Sequence, residues 1–167
     1  MIVRGRVWKF GDDINTDLIF PPDAFPLSPE EQVKLVFRHN RPGWSDMVQA
    51  GDVIVAGRNF GTGSSRPGAL LLKRLGIAAL AADSINGLFF RSCVSYGFPA
   101  LDCKGVSEVF EEGDFAVMDL LKGTILNERT NHVVRGTPLT AAMADTLRAG
   151  GIEELLRRQG FMKDRLS

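Results

Sequence analysis

Arg4 and Arg6 alternate with Val3, Gly5 and Val7, a period of two that predicts a strand over residues 2–8. Residues 11–26 lose that period: Gly11, a run of aspartates, Asn15 and three prolines predict a loop. A helix is predicted over 28–40, with Pro29 suited to its first turn. Asp52 to Ala56 (DVIVA) predicts a short buried strand, followed by a polar glycine loop over 57–63 and a helix over 65–75. Gly76 fits the left-handed position beyond that helix. A second buried strand is predicted over 77–82. Ser84 is the expected cap of a helix running to Tyr96, Gly97 its stop, and Phe98 to Leu101 a third strand. This strand–helix order implies a parallel sheet with crossover helices.

The pattern then changes. Residues 115–120, 123–126 and 132–135 predict antiparallel strands, the last two joined by a turn over 127–131. Thr137 and Pro138 are the expected cap and first position of a helix ending near Gly150 and Gly151. An amphipathic helix over 152–159 closes the pattern. The expectation is one α/β domain over residues 1–167, mixing parallel and antiparallel strands.

Composition narrows the classes of function. In 167 residues, 44% hydrophobic, Lys+Arg and Asp+Glu each number 20, so no net field draws the chain to nucleic acid or an anionic membrane. Apolar runs such as residues 77–82 are too short to span a bilayer, and cations interrupt the apolar N-terminus, which is not predicted as a signal peptide. A soluble cytoplasmic protein is expected. Cys93 and Cys103, with His39 and His132, form no metal-ligand spacing, so no metal site within this chain is expected. Cys93, among Phe89, Phe90, Val94 and Tyr96, reads as a buried apolar thiol; a disulfide is not favoured in a cytoplasmic setting.

The most informative stretch runs from Gly57 to Arg66 (GRNFGTGSSR), between a buried strand and a helix start, where free N–H groups favour an anion. Arg66, expected in the first helical turn, opposes the helix dipole there, which suggests a carboxylate or phosphate held by its guanidinium. The plainer alternative is a turn in which Ser64 or Ser65 only caps the helix. A P-loop lysine, the third glycine of a dinucleotide fingerprint and a G-x-S-x-G nucleophile elbow are all missing.

Taken together these residues resemble the small subunits of 3-isopropylmalate dehydratase and the swivelling domain of the aconitase superfamily. Asp13-Ile14-Asn15-Thr16-Asp17-Leu18-Ile19 is similar to the family's D-x-N/D-T-D-x-I segment, and Asn59 to Arg66 to its N-F-G-x-G-S-S-R segment. Residues 76–101, with Phe90 and Gly97-Phe98-Pro99, follow the strand–helix–strand block that ends in G-L-P. Ala149-Gly150-Gly151 and the last helix resemble the end of a small subunit.

The resemblance implies a β/β/α swivel domain, α/β in class. It implies a hydro-lyase of leucine biosynthesis, active only with a large subunit that carries a [4Fe-4S] cluster, this chain binding no cofactor itself. It implies Ser64 as the base that removes a carbon-bound proton from a hydroxy diacid. Arg66, with Ser65, Gly63 and Asn59, would bind the substrate, and Thr16 and Asp17 would order the neighbouring loops. In the family the loop after T-D-x-I meets the substrate's variable group, and an arginine there goes with an additional carboxylate. Here Asp23 is followed by Ala24, Phe25, Pro26 and Leu27, with no basic residue. Phe25 and Leu27 suit an alkyl group, and Asp23 would repel a third carboxylate. A 2-alkylmalate such as isopropylmalate is therefore expected. A methylmalate/citraconate or homoaconitate hydro-lyase, or a non-catalytic anion-binding module on the same fold, are the alternatives. Pro67-Gly68 departs from the family, which continues S-S-R with Glu and then His or Gln.

Overall fold

A computed structural model of the chain describes residues 1–162. Among these, seven strands form one sheet in the order β4-β3-β2-β1-β5-β6-β7. In chain order the elements are β1 (Ile2–Lys9), α1 (Thr16–Ile19), α2 (Pro29–Lys34), α3 (Trp44–Met47), β2 (Val53–Ala56), α4 (Gly68–Leu75), β3 (Ala79–Ala82) and α5 (Gly87–Tyr96). They continue with β4 (Ala100–Asp102), α6 (Val106–Val109), β5 (Phe115–Asp119), β6 (Thr124–Asn127), β7 (His132–Arg135), α7 (Ala141–Ala149) and α8 (Ile152–Arg158).

β1 joins two half-sheets of different kind. Its first residues pair antiparallel with β5, Ile2 opposite Asp119 and Arg4 opposite Val117. Its last three pair parallel with β2, Val7 opposite Val53 and Lys9 opposite Val55. β2, β3 and β4 continue the parallel half, while β5, β6 and β7 form the antiparallel meander. In the parallel half both faces are covered, so its strands are buried throughout rather than alternating. Ile54 and Leu80 face a cluster with Trp8, Phe10, Phe37, Leu72 and Phe98, while Val53, Val55 and Ala81 face a second with Leu101, Phe110, Met118 and Leu147.

Several expected elements shift, each for a local reason. The helix expected over 28–40 stops at Lys34, although Ser28 and Glu31 form the capping box and Pro29 stands at its start. Phe37 turns to a positive φ of 58° and buries its ring against Phe10, with centroids 4.4 Å apart. A regular helix could not deliver that ring. Trp44, which starts the unexpected α3, completes the aromatic cluster edge-on to Phe37 at 5.0 Å.

The helix expected from Ser65 begins at Gly68, with Pro67 as its N-cap and no side-chain cap. Proline disfavours helical backbone in the residue before it, so Ser64, Ser65 and Arg66 stay in the loop. Neither serine caps α4, and Arg66 is not in its first turn. Ser84 does not cap α5 either: Asn86 accepts from Leu88 and Phe89, and Ser84 Oγ accepts the Asn59 amide. Thr137 and Pro138 do not open α7. The Thr137 and Leu139 amides donate to the Asp102 and Leu120 carbonyls, and Thr140 becomes the cap. The short α6 was not anticipated. Gly76 and Gly97 close α4 and α5 in left-handed conformations as expected.

Candidate active site

Both sequence motifs lie beyond the C-terminal ends of β1 and β2, where these parallel neighbours continue side by side as loops. Asp13 N–H donates to the Arg58 carbonyl at 2.8 Å, Gly61 N–H to the Ile14 carbonyl at 2.7 Å, and Thr16 N–H to the Thr62 carbonyl at 2.8 Å. Asp12 takes the Arg58 amide at 2.7 Å and its guanidinium at 2.7 and 3.1 Å, and these bonds hold the Asp12 carboxyl below its usual pKa. Asn59 Nδ2 donates to Asp13 Oδ1 at 2.8 Å. The two motifs are thus a single zipped loop pair.

Gly61 makes the close packing of this pair possible. Its φ is +79°, and a Cβ there would lie 2.2 Å from the Phe89 ring. α5 therefore presses its Phe89 directly onto the loop backbone. Beyond it, Ser64 and Ser65 stand exposed, and neither hydroxyl has a hydrogen-bond partner among the described residues. Thr16 Oγ1 donates to the Ser64 carbonyl at 2.9 Å, so the first motif holds the backbone of the second at the serine itself.

Arg66 is held on three sides. Its Nη1 donates to the Phe20 carbonyl at 2.8 Å, its Nη2 lies 2.6 Å from an Asp17 carboxylate oxygen, and the Phe25 ring covers the guanidinium at 5.2 Å. Phe25 in turn packs edge-on to the buried Phe20 at 4.8 Å, yet is itself 57% exposed. A small cleft of about 10 Å³, room for one water, is lined by Thr16, Gly63, Ser64, Arg66, Leu88 and Ser92 among others.

The structure thus brings together Thr16, Asp17, Gly63, Ser64, Ser65, Arg66 and Phe25. It does not bring Asn59 into the cleft lining: its side chain is tied to Asp13. Of the remaining loop residues, Ala24 is buried, Pro26 exposed and Leu27 half-buried. Asp23 is paired with Arg38 at 2.8 Å, with His39 Nε2 4.0 Å away. The repulsion expected of Asp23 is therefore offset by a nearby cation that sits fifteen residues further along the chain. Leu88, Phe89 and Ser92 of α5 were not anticipated as lining residues. Only the packing of α5 on the glycine loop puts them there, and no local motif marks it.

The departure at Pro67-Gly68 also has a geometric counterpart. A Cβ at residue 68 would stand 3.0 Å from Ile19 Cγ2 and 3.3 Å from Phe89 Cε2. Glycine lets α1 and α5 both close on the start of α4, and α1 is the element that carries Asp17 to Arg66.

The described residues do not fit an iron–sulfur cluster. No group of three or more His, Cys, Asp or Glu is gathered among them. Cys93 and Cys103 are buried and unpaired. Burial pushes the Cys93 thiol well up and, with Asp102 and Asp83 nearby, raises Cys103 to about 11, so neither is a ready thiolate. No helix among the described residues is long and apolar enough to cross a membrane.

The mixed sheet, with its serine and arginine on the loop beyond β2, defines an aconitase-type swivel domain, and the Aconitase C-terminal domain family matches residues 31–103. The 3-isopropylmalate dehydratase small subunit 1 of Methanopyrus kandleri is 41% identical over 95% of each chain. The isopropylmalate/citramalate isomerase small subunit of Methanocaldococcus jannaschii is 40% identical, again over 95% of each. A crystal structure of 3-isopropylmalate dehydratase from Methanocaldococcus jannaschii superposes with a TM-score of 0.88 at 31% identity, covering 96% of each chain. The chain belongs to the family of 3-isopropylmalate dehydratase small subunits, which are parts of hydro-lyases.

Proposed function

We propose that this chain completes the active site of a two-chain hydro-lyase for a 2-alkylmalate, with isopropylmalate as the first candidate. The large subunit holds the [4Fe-4S] cluster, and what this chain adds is a base and a carboxylate grip. The carrying observation is the pairing of an unengaged Ser64 hydroxyl with an arginine, two residues on, that already holds a carboxylate at 2.6 Å. On this reading the carboxylate of the substrate takes a similar place on the Arg66 guanidinium, whose planar fork suits it. The Ser64 oxygen takes the proton from the substrate carbon as the neighbouring carbon loses its hydroxyl, leaving a double bond. Hydration is the reverse: Ser64 returns the proton to one carbon of the double bond while the hydroxyl of a water adds to the other, and the choice of carbon sets which isomer forms. A serine hydroxyl is a very weak acid, so its anion needs the local donors and the positive charge of Arg66. Departure of the hydroxyl is the partner chain's task.

Phe25 and Leu27 support an alkyl rather than a carboxylate group at the variable position. Phe25 is a large apolar surface left in water directly above Arg66. The names of the relatives, isopropylmalate and citramalate, cover two alkyl groups of different size. An apolar pocket separates substrates by only about 1–3 kcal/mol per methylene, so acceptance of both is expected here.

The test is kcat/KM for isopropylmaleate, citraconate and homoaconitate, with this chain assembled on its large subunit. The first two are expected to exceed the third. A preference for homoaconitate would overturn the role given to Phe25 and Leu27, and would point to Arg38 beside Asp23 as the missing cation.

A further inference from the structure

The arginine that receives a carboxylate in the reading above is, in this structure, already supplied with one from its own chain. The two members of that pair are held very differently. Arg66 is fixed: its side chain is 14% exposed, with Nη1 on the Phe20 carbonyl and Phe25 over its face. Asp17 is loose: its side chain is 56% exposed and touches Arg66 through one oxygen. No other hydrogen bond holds that carboxylate among the described residues. Nor does α1 need Asp17 as its cap, since Asn15 already accepts from the Leu18 amide.

We infer that Asp17 is an exchangeable counter-ion for Arg66, holding the guanidinium between turnovers and yielding it to the substrate carboxylate. This rests on the reading of Arg66 given above. The physical case is one of charge. A largely buried guanidinium left without an anion each time product departs would be costly. An exposed partner that swings in removes that cost, and it leaves easily because a carboxylate half in water loses little on returning to it. One carboxylate replaces another, so no unpaired charge is buried at any stage. Asp17 is therefore a positioning residue: it keeps Arg66 aimed in the empty site and competes with the ligand in the filled one.

Competition has a direction that a scaffold role lacks. Removing the charge should make carboxylate ligands bind more tightly, whereas removing a structural brace should weaken them. The experiment uses the assembled two-chain enzyme and isopropylsuccinate, a probe that keeps both carboxylates but has no hydroxyl to lose. Calorimetry should give a Kd for Asp17→Asn about two- to fivefold lower than wild type, the range of an exposed ion pair. KM for the substrate should fall in step, with no rise in kcat, and Asp17→Glu should restore wild-type binding. Arg66→Gln is measured alongside. If Arg66→Gln weakens the probe while Asp17→Asn leaves it unchanged or weakens it, exchange is wrong and the reading of Arg66 stands. If Arg66→Gln leaves Kd unchanged, both are overturned.

Discussion

Asp114 shows how far single residues of this chain depend on partners remote in sequence. It is buried and accepts from Arg129 Nε at 2.6 Å, from the Glu111 amide at 2.9 Å and from Asn127 Nδ2 at 2.7 Å. The Arg129 hydrogen bond, with those of Glu111 and Asn127, outweighs the opposing effect of burial and lowers the carboxyl pKa to about 2. A group more acidic in the folded chain than in the unfolded one stabilises the fold above its unfolded pKa and loses that contribution as pH falls through the folded one. The thermal midpoint should therefore drop between pH ~4 and ~2. Asp114→Asn should flatten that segment and lower the midpoint at neutral pH, which a series of thermal melts across pH will read. Distance in sequence also explains what was legible among site residues. Ser64, Arg66, Thr16 and Asp17 stood out because they fall in two dense motifs. Their pairing, Thr16 to the Ser64 carbonyl and Asp17 to Arg66, links residues about fifty positions apart, and the sequence alone did not specify it.

At the scale of elements, the strands were read well because each combines β-branched or small apolar residues with sharp polar or glycine borders. Helix starts were read less well. Three helix starts were expected two or three residues early, because a Ser or Thr next to a Pro or a helix resembles a cap, while the true choice depends on what else needs that backbone. Pro67 excluded Arg66 from α4, and the Thr137 amide was already taken by β4's Asp102. α4 also anchors its neighbours at its other end. Lys73 Nζ donates to the Tyr96 carbonyl at 2.8 Å and the Gly150 carbonyl at 2.9 Å, a cation shared by the C-terminal ends of α5 and α7. Lys73→Met should cost about 1–3 kcal/mol in urea unfolding. Because this contact lies at the end of α4 away from Ser64, kcat of the assembled enzyme should stay as it was.

For the whole molecule, the division of labour follows from the sheet. β1 couples an antiparallel meander to a parallel half, and only the parallel half places loops together at one strand end, where both motifs lie. That architecture sets an exposed serine and a paired arginine side by side beyond β2, the residues proposed above as base and carboxylate grip, and the small-subunit naming of the relatives implies a large partner chain. The mixed character of the sheet was legible from the change of spacing after residue 101, whereas the joining of both halves through a shared β1 was not, since it depends on register. The central claim is that Ser64 is the base of the assembled enzyme. The measurement is steady-state turnover of Ser64→Ala, assembled with the large subunit and compared with wild type for fold by its melting temperature. Since Ser64 is exposed and its side chain bonds to nothing described, the melting temperature should not move. Loss of the base should lower kcat by about 10²–10⁴-fold with KM little changed. A variant that keeps most of its turnover would contradict the account, and the base would then lie in the partner chain.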